Sequence, residues 1–296
     1  MTGWLRGTSK ALVARVATPI DRPMLAGLLA GTWRRFGILA VEEQVALLSS
    51  GFSTITLDGA EAVGFLGLSP RAPATERGEL WVDVALVAVA SDYSAPAILR
   101  RLLTAAAQRF DGRRPVGLLC LTAQDWLAKV LLDVGFREID RVLSYARPDR
   151  ALLHDASDVV ELHLAGASDA QTILGLNAAA FEPLWRYDER TILGWLLAAD
   201  HAVLATRQGA PLGFAITTLS ATDGYAQLIR IAMHPAAQGR GVGRQLVTDA
   251  IAYGRAVGAS GVSLNTQASN AVARHLYEEL GFRFTGGSLP VMVYRS

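Results

Sequence analysis

Two distant stretches of this chain end alike. KVLLDVGFREIDRVLSYAR in the middle and HLYEELGFRFTGGSLPVMVYR near the end each read as the close of an amphipathic helix, a Gly-Phe exit, and an extended run ending on an aromatic and an arginine. Gly135 and Gly281 lie 146 positions apart. Upstream, RRLLTAAAQ falls on RQLVTDAIA when Leu102 is set on Leu246, a shift of 144, and the strand-like runs ALVAVA and RIAMHP come into line. A near-constant shift over so long a stretch implies a duplication: two half-chains with one order of elements. Whatever fold one half takes, the other must be able to take too.

At 296 residues the chain has room for two such domains. Hydrophobic residues form 51% of it and charged ones 19%, enough for two cores and unlike a disordered chain. A boundary fits at YARPDRALLHDASDVV, which carries Pro148, alternating charges and no periodicity. The expected domains are 1–148 and 157–296. In the second, strands are read near 158–164, 201–207, 211–220, 224–233 and 261–265, with a final strand pair over 282–295. Helices are read near 168–180, 188–199, 241–257 and 270–280. Such a mixed order predicts an α/β sheet with helices on both faces.

Charge narrows the partners. Lys and Arg number 28 against 27 Asp and Glu, so the basic excess of a nucleic-acid binder is missing. No run of apolar residues is long enough to span a bilayer, and the opening MTGWLRGTSKALVARV lacks the pattern of a secretory leader. A cytoplasmic protein without membrane or nucleic-acid partners is expected, as a monomer or homodimer. Cys120, the one cysteine, sits in the apolar run VGLLCLT and reads as a buried small hydrophobe. His154, His163, His201, His234 and His275 form no close helical pair, so no metal site is expected.

HPAAQGRGVGRQLV, from His234 to Val247, carries the chemistry. Gly239, Gly241 and Gly243 alternate with Arg240 and Val242, and Arg244 comes next. The strand-like LIRIAM precedes them, and Val242, Leu246, Ala250, Tyr253 and Val257 then recur at helical spacing. A helix start leaves unpaired N–H groups and a partial positive charge, which attract phosphate. Glycine lets that backbone approach an anion and take positive φ. A Walker loop requires Lys-Ser/Thr after the glycines, which is missing, and the spacing is GxGxG rather than GxGxxG. Further along, Asn270, Arg274 and Tyr277 fall at i, i+4 and i+7, on one helix face, with Leu276 and Leu280 on another.

Gln238-x-x-Gly241-x-Gly243 after a strand, with SNAVARHLYEELGF downstream, resembles the coenzyme A loop of the GNAT superfamily of N-acetyltransferases. The resemblance covers 158–296 and, more faintly, the first half. It implies two tandem GNAT-like domains and acetyl-CoA as cosubstrate. It implies a V-shaped opening between the fourth and fifth strands of the second half. Pantetheine would lie along Ile231, Ala232 and Met233, and the pyrophosphate on the backbone of Gln238, Gly239, Arg240, Gly241, Val242, Gly243 and Arg244. The N–H near Met233 would polarise the thioester carbonyl. Asn270 would contact pantetheine and Tyr277 would protonate the leaving thiolate; Arg274, on the same helix face, reads equally as a cofactor contact or as a solvated helix charge.

No general base is named: the strand DGYAQLIRIAM has no carboxylate after Asp223. Glu182, Asp188 and Glu189 read as surface charges, and His234 as shaping the loop before Pro235. FEPLWRYDE, from Phe181, reads equally as an acceptor-pocket wall or as core packing. The function expected is acetyl transfer to an amine of unknown identity, the alternative being a non-catalytic acyl-CoA-binding sensor. In the first half the shift sets Pro96, Ala97 and Leu99 on Arg240, Gly241 and Gly243, and Gln124 and Leu131 on Asn270 and Tyr277. That domain is expected to keep the fold and not to bind coenzyme A.

Overall fold

The duplication is visible as one order of elements traversed twice. A computed structural model describes residues 12–37, 40–71, 80–110, 116–148 and 159–295. In chain order the first pass is β1 (Val13–Val16), α1 (Arg22–Gly31), β2 (Arg35–Phe36), α2 (Val41–Ser49), β3 (Thr54–Asp58), β4 (Glu61–Pro70), β5 (Leu80–Val89), α3 (Ala95–Ala107), β6 (Val116–Leu121), α4 (Asp125–Asp133) and β7 (Arg137–Pro148). The second is β8 (Glu161–Leu164), α5 (Ala170–Ala180), α6 (Glu189–Ala198), β9 (His201–Arg207), β10 (Ala210–Leu219), β11 (Ala226–Met233), α7 (Val242–Ala256), β12 (Gly261–Gln267), α8 (Ala271–Glu279) and β13 (Arg283–Arg295). Among the strands and α-helices of the described residues, β2 alone lacks a counterpart. The mixed α/β class is as the periodicity predicts. Of the stretch read as the domain boundary, 145–160, Tyr145–Pro148 belongs to β7 and residues 149–158 lie outside the described residues.

The chain divides into two compact units whose limits differ from the expected 1–148 and 157–296. Unit 1 is Met1–Asp140 with Leu289–Ser296, and unit 2 is Arg141–Ser288. In unit 1 the strands run β1-β3-β4-β5-β6, and Val291–Arg295 of β13 then pairs antiparallel with β6. In unit 2 the order is β8-β9-β10-β11-β12, and Val142–Pro148 of β7 pairs antiparallel with β12. Each half of the chain thus supplies the strand that completes the other half's sheet. The two closing strands come after the same helix exit and present the same kind of apolar run, so local pattern does not distinguish their partners. The expected final strand pair is also one long strand. Gly286, at φ +90°, kinks β13 without reversing it.

Each sheet is covered on both faces, as alternating side chains require. In unit 2, Leu246, Val247, Ala250 and Ile251 of α7 pack on Ala226, Leu228, Val262 and Leu264. On the other face Ile173, Leu176, Ile192 and Leu196 of α5 and α6 pack on Phe214, Ile216 and Ala232. Unit 1 repeats this with Ile98, Leu99 and Leu102 of α3 on one face and Leu25, Leu28 and Leu47 on the other. Cys120 lies in the unit 1 core, a free thiol whose pKa burial pushes up to about 12.

One irregularity is duplicated with the elements. Ile216 pairs with Arg230 and Thr217 with Leu228, leaving Ile229 as an extra residue in β11. Gly67 pairs with Leu86 and Leu68 with Val84, leaving Ala85 as an extra residue in β5. Ile229 and Ala85 are 144 positions apart, the shift that aligns the helices after them. A bulge reverses which face the later residues present. Ala226 and Leu228 face α7 before it; after it Ile231 and Met233 pack on that side while Ala232 joins the α5 and α6 side.

Candidate active site

The site of unit 2 begins where two parallel strands part. β11 and β12 are in register only over Ala226–Leu228 against Val262–Leu264. β11 then runs on to Met233 and β12 to Gln267 without pairing each other. On its other edge β11 stays paired with β10, and the His234 N–H donates to the Leu212 carbonyl at 2.8 Å. Alternate residues of an antiparallel ladder direct their N–H and C=O to opposite edges. Those of Met233 and Ile231 therefore face the opening.

A 3₁₀ turn, Pro235–Ala237, leads out of β11, with the His234 ring nitrogen Nδ1 accepting the Ala236 N–H at 3.2 Å. His234 thus shapes the loop, as its place before Pro235 suggests. Gly239 and Gly241 then take φ of +70° and +86°, and Gly241 is the N-cap of α7. The first bond of α7 runs from the Gln245 N–H to the Gly241 carbonyl at 3.0 Å. The N–H groups of Gly241, Val242, Gly243 and Arg244 are thereby left without a helical acceptor. A Cβ on Gly239 would meet nothing within 4 Å, whereas one on Gly243 would stand 3.0 Å from the Met233 Cε.

These elements enclose a cleft of ≈ 470 Å³. Of the residues expected at the site, Ile231, Ala232, Met233, Gln238, Gly239, Gly241, Gly243, Arg244, Asn270 and Tyr277 line this one cleft. Arg240 and Val242 do not. Arg240 is exposed, and the Val242 side chain is in the core beside Leu246, leaving only its backbone N–H at the loop.

Asn270 is the N-cap of α8, its side-chain oxygen accepting the Ala273 N–H at 3.1 Å. Its backbone is not helical, so a helix face counted from Asn270 misassigns the residues of α8. Arg274 does not line the cleft; its charge acts instead on the Tyr145 hydroxyl, which donates to the Glu278 carboxylate at 3.1 Å. Leu276 does line it, with Val272, Ala273, His275 and Glu279, while Leu280 packs in the core as expected. Helical spacing counted from Val272, at i, i+3, i+4 and i+7, gives Val272, His275, Leu276 and Glu279. Glu279 is the residue sequence reasoning missed: it pairs with the Arg244 guanidinium and with the His275 Nε2 at 3.1 Å.

Tyr277 is 5% exposed, its ring 5.9 Å from that of Phe282. Burial pushes its phenol up to about 12, so it holds its proton throughout the neutral range. Among the described residues its hydroxyl has no protein partner. On the α5 side, Ala180 and Phe181 form a wall of the same cleft. Asp188 caps α6 through the Thr191 N–H at 2.8 Å, Glu189 accepts from Gln171 at 2.6 Å, and Glu182 is exposed. None of the three lines the cleft.

Unit 1 has the same bulged strand and a different tenant. β5 and β6 are in register only over Leu80–Asp83 against Val116–Leu119, and β2 then pairs with β5 at Val87 and Ala88. The Val89 N–H donates to the Arg34 carbonyl at 3.0 Å. Gly37, at φ +88°, leaves β2 so close to the bulge that a Cβ there would lie 2.2 Å from the Ala85 carbonyl oxygen. Leu99 and Leu131, at the positions of Gly243 and Tyr277, are both fully buried. Among the described residues no group of His, Cys, Asp and Glu is placed to hold a metal ion, and no helix is long and apolar enough to cross a membrane.

Residues 170–282 match the acetyltransferase (GNAT) family model. Over 133 residues the chain is 35% identical to a mycothiol acetyltransferase of Rhodococcus erythropolis, covering 40% of this chain and 44% of that protein. Over 154 residues it is 32% identical to a mycothiol acetyltransferase of Nocardia farcinica, covering 47% and 50%. The matches thus span about half the length of these curated relatives. In fold, the chain resembles a tandem GNAT protein from the clavulanic acid biosynthesis pathway, at a TM-score of 0.58 and 16% identity over 96% of this chain and 98% of that one. It also resembles a GCN5-related N-acetyltransferase from Sphaerobacter thermophilus, at 0.60 and 14% over 97% and 96%. The bulged strand, the parted sheet and the glycine-capped helix thus lie within the stretch, residues 170–282, that matches the acetyltransferase (GNAT) family model.

Proposed function

We propose that unit 2 moves an acetyl group from acetyl-CoA to an amine. The observation that carries this is the convergence of three features on one cleft. They are the outward backbone of Ile231 and Met233, the unpaired N–H groups of Gly241–Arg244, and the buried phenol of Tyr277. The diphosphate fits the α7 start, where bare glycines leave room and the helix end supplies donors. The amide part of the carrier fits the open edge of β11, with the Asn270 side-chain NH₂ still available, since its cap uses only the oxygen.

The neutral amine attacks the thioester carbon, forming a C–N bond, and the carbonyl oxygen takes the negative charge. The Met233 N–H stabilises that oxygen. As the oxyanion collapses and the C–S bond breaks, the thiolate takes the Tyr277 proton; the proton lost by the amine passes to water, from which the phenolate is reprotonated. The one carboxylate lining the cleft among the described residues, Glu279, is held by Arg244 and His275 and is not assigned as the base.

The names of the curated relatives make deacetylated mycothiol the first acceptor to try. Unit 1 is read as a domain that binds no coenzyme A. Its support is β2, which takes the strand edge that acetyl-CoA would need. A thiol-release assay on an amine panel, with calorimetry on the full chain, tests both readings. Turnover that collapses in Tyr277→Phe and one acetyl-CoA per chain are expected. Tight binding with no turnover of any amine would make the protein a non-catalytic acyl-CoA binder, and two sites per chain would overturn the reading of unit 1.

A further inference from the structure

The cleft has a wall on its α5 side that is not a regular element. Phe181 opens a stretch running to Asp188 whose only ordered turn is 3₁₀, Pro183–Trp185. Such a segment, fastened only at its ends, would be free to open locally. Arg230 fastens it in the middle, beside the Arg186 Nε bond to the Phe181 carbonyl at 2.8 Å and the Tyr187–Trp195 ring contact at 4.6 Å. Nε and Nη2 of Arg230 donate to the Asn177 Oδ1 at 3.2 and 2.6 Å, and Nη2 also donates to the Trp185 carbonyl at 2.7 Å. The guanidinium carbon lies 3.5 Å from the centre of the Phe181 ring and 4.7 Å from that of Tyr187.

The bulge at Ile229 explains how a residue of β11 reaches that wall. In an uninterrupted strand residue 230 would share the face of Ala226 and Leu228, toward α7. With the extra residue Arg230 turns to the α5 side, where Asn177 is 1% exposed. A planar fork suits the place, because it can bond edge-on to an amide and a carbonyl while its faces stack on rings. Lysine has neither the fork nor the plane.

We propose that Arg230 is a positioning residue: it touches no reacting atom, and it holds Phe181 and the segment behind it as the fixed wall against which the acceptor amine is presented. The assignment of that wall to the acceptor rests on the acetyltransferase reading above; the fastening does not.

Arg230→Lys and Arg230→Met in the full chain test it, with Asn177→Ala and Asn177→Asp as partners. Trypsin cleavage after Arg186, read by mass spectrometry, reports the fastening without any acceptor. It is expected to quicken about tenfold in Arg230→Lys, Arg230→Met and Asn177→Ala and to stay near wild type in Asn177→Asp, which keeps the acceptor oxygens. Calorimetry with acetyl-CoA should give an unchanged Kd in all four. With an amine that is turned over, the acceptor KM should rise about tenfold in the first three variants while kcat falls far less. Cleavage at wild-type rate in Arg230→Met, or acetyl-CoA affinity falling as far as acceptor affinity, overturns the proposal. If no amine is turned over, the acetyltransferase reading fails, and the cleavage rates still decide whether Arg230 fastens the wall.

Discussion

The Asn270 side-chain oxygen accepts the Ala273 N–H at 3.1 Å, so one amide both starts helix α8 and stands in the wall of the cleft. The two duties use different atoms and can be separated. Asn270→Asp keeps the capping oxygen and loses the NH₂ donor; Asn270→Ala loses both. Thermal unfolding should be unchanged in the first and lowered by about 2–4 °C in the second, for a cap worth about 1 kcal/mol. Acetyl-CoA binding, measured by calorimetry, should weaken in both.

Gly241 and Gly243 line the same cleft, each suited to it for a different reason. At φ +86°, Gly241→Ala forces a side chain into the left-handed region, costing about 1–2 kcal/mol of stability as well as affinity. Gly243 has an ordinary backbone, and its added Cβ would press on the flexible end of Met233. Gly243→Ala should therefore unfold at nearly the wild-type denaturant midpoint while binding acetyl-CoA about tenfold less tightly, since the methyl stands in the cleft.

Tyr277→Phe should remain folded, because its ring packs against Phe282 and its hydroxyl has no protein partner among the described residues. Turnover should fall about a hundredfold or more, the usual worth of a positioned acid. The phenol's pKa is raised in the folded state from its ordinary 10.0 to about 12. Its contribution to stability is therefore whole below pH 10 and lost as the pH rises toward 12, by about 2–3 kcal/mol. Denaturant titrations over that range should show a shallower decline for Tyr277→Phe than for the wild type.

Glu279 holds the Arg244 guanidinium, which the proposed diphosphate would have to win from it. The pair is about 40% exposed on both sides, so breaking it costs little, about 0.2–1 kcal/mol. Glu279→Gln should accordingly bind acetyl-CoA about twofold to fivefold more tightly, with the gain shrinking as salt rises. An unchanged affinity would mean that Arg244 does not meet the diphosphate.

Much of this is legible from residue order alone, and the reason is locality. The spacing from Val242 to Val257 and the glycines before it are short-range signals, and α7 and its cap stand where they indicate. The bulge is not local in that sense: nothing in QLIRIAM marks Ile229 as the extra residue, because the mismatch exists only against β10. Arg230 therefore gives no sign of its role, although it sits in the very strand where a carboxylate is sought. The misplacement of Arg274 and Leu276 comes from treating Asn270 as helical when it caps. The partners of β7 and β13 cannot be read at all, since each pairs with a strand of the other half of the chain.

That last pairing has a practical consequence for anyone who cuts the gene. A piece ending at residue 148 carries the first pass of the topology yet leaves β6 with a bare edge, because its neighbour is encoded at the far terminus. Removing the last eight residues, Leu289–Ser296, takes nothing from the cleft-bearing unit and strips a strand from the one without the cleft. Tags, truncations and swaps at the carboxyl end thus act on the amino-terminal sheet, and neither half can be lifted out as a ready-made module.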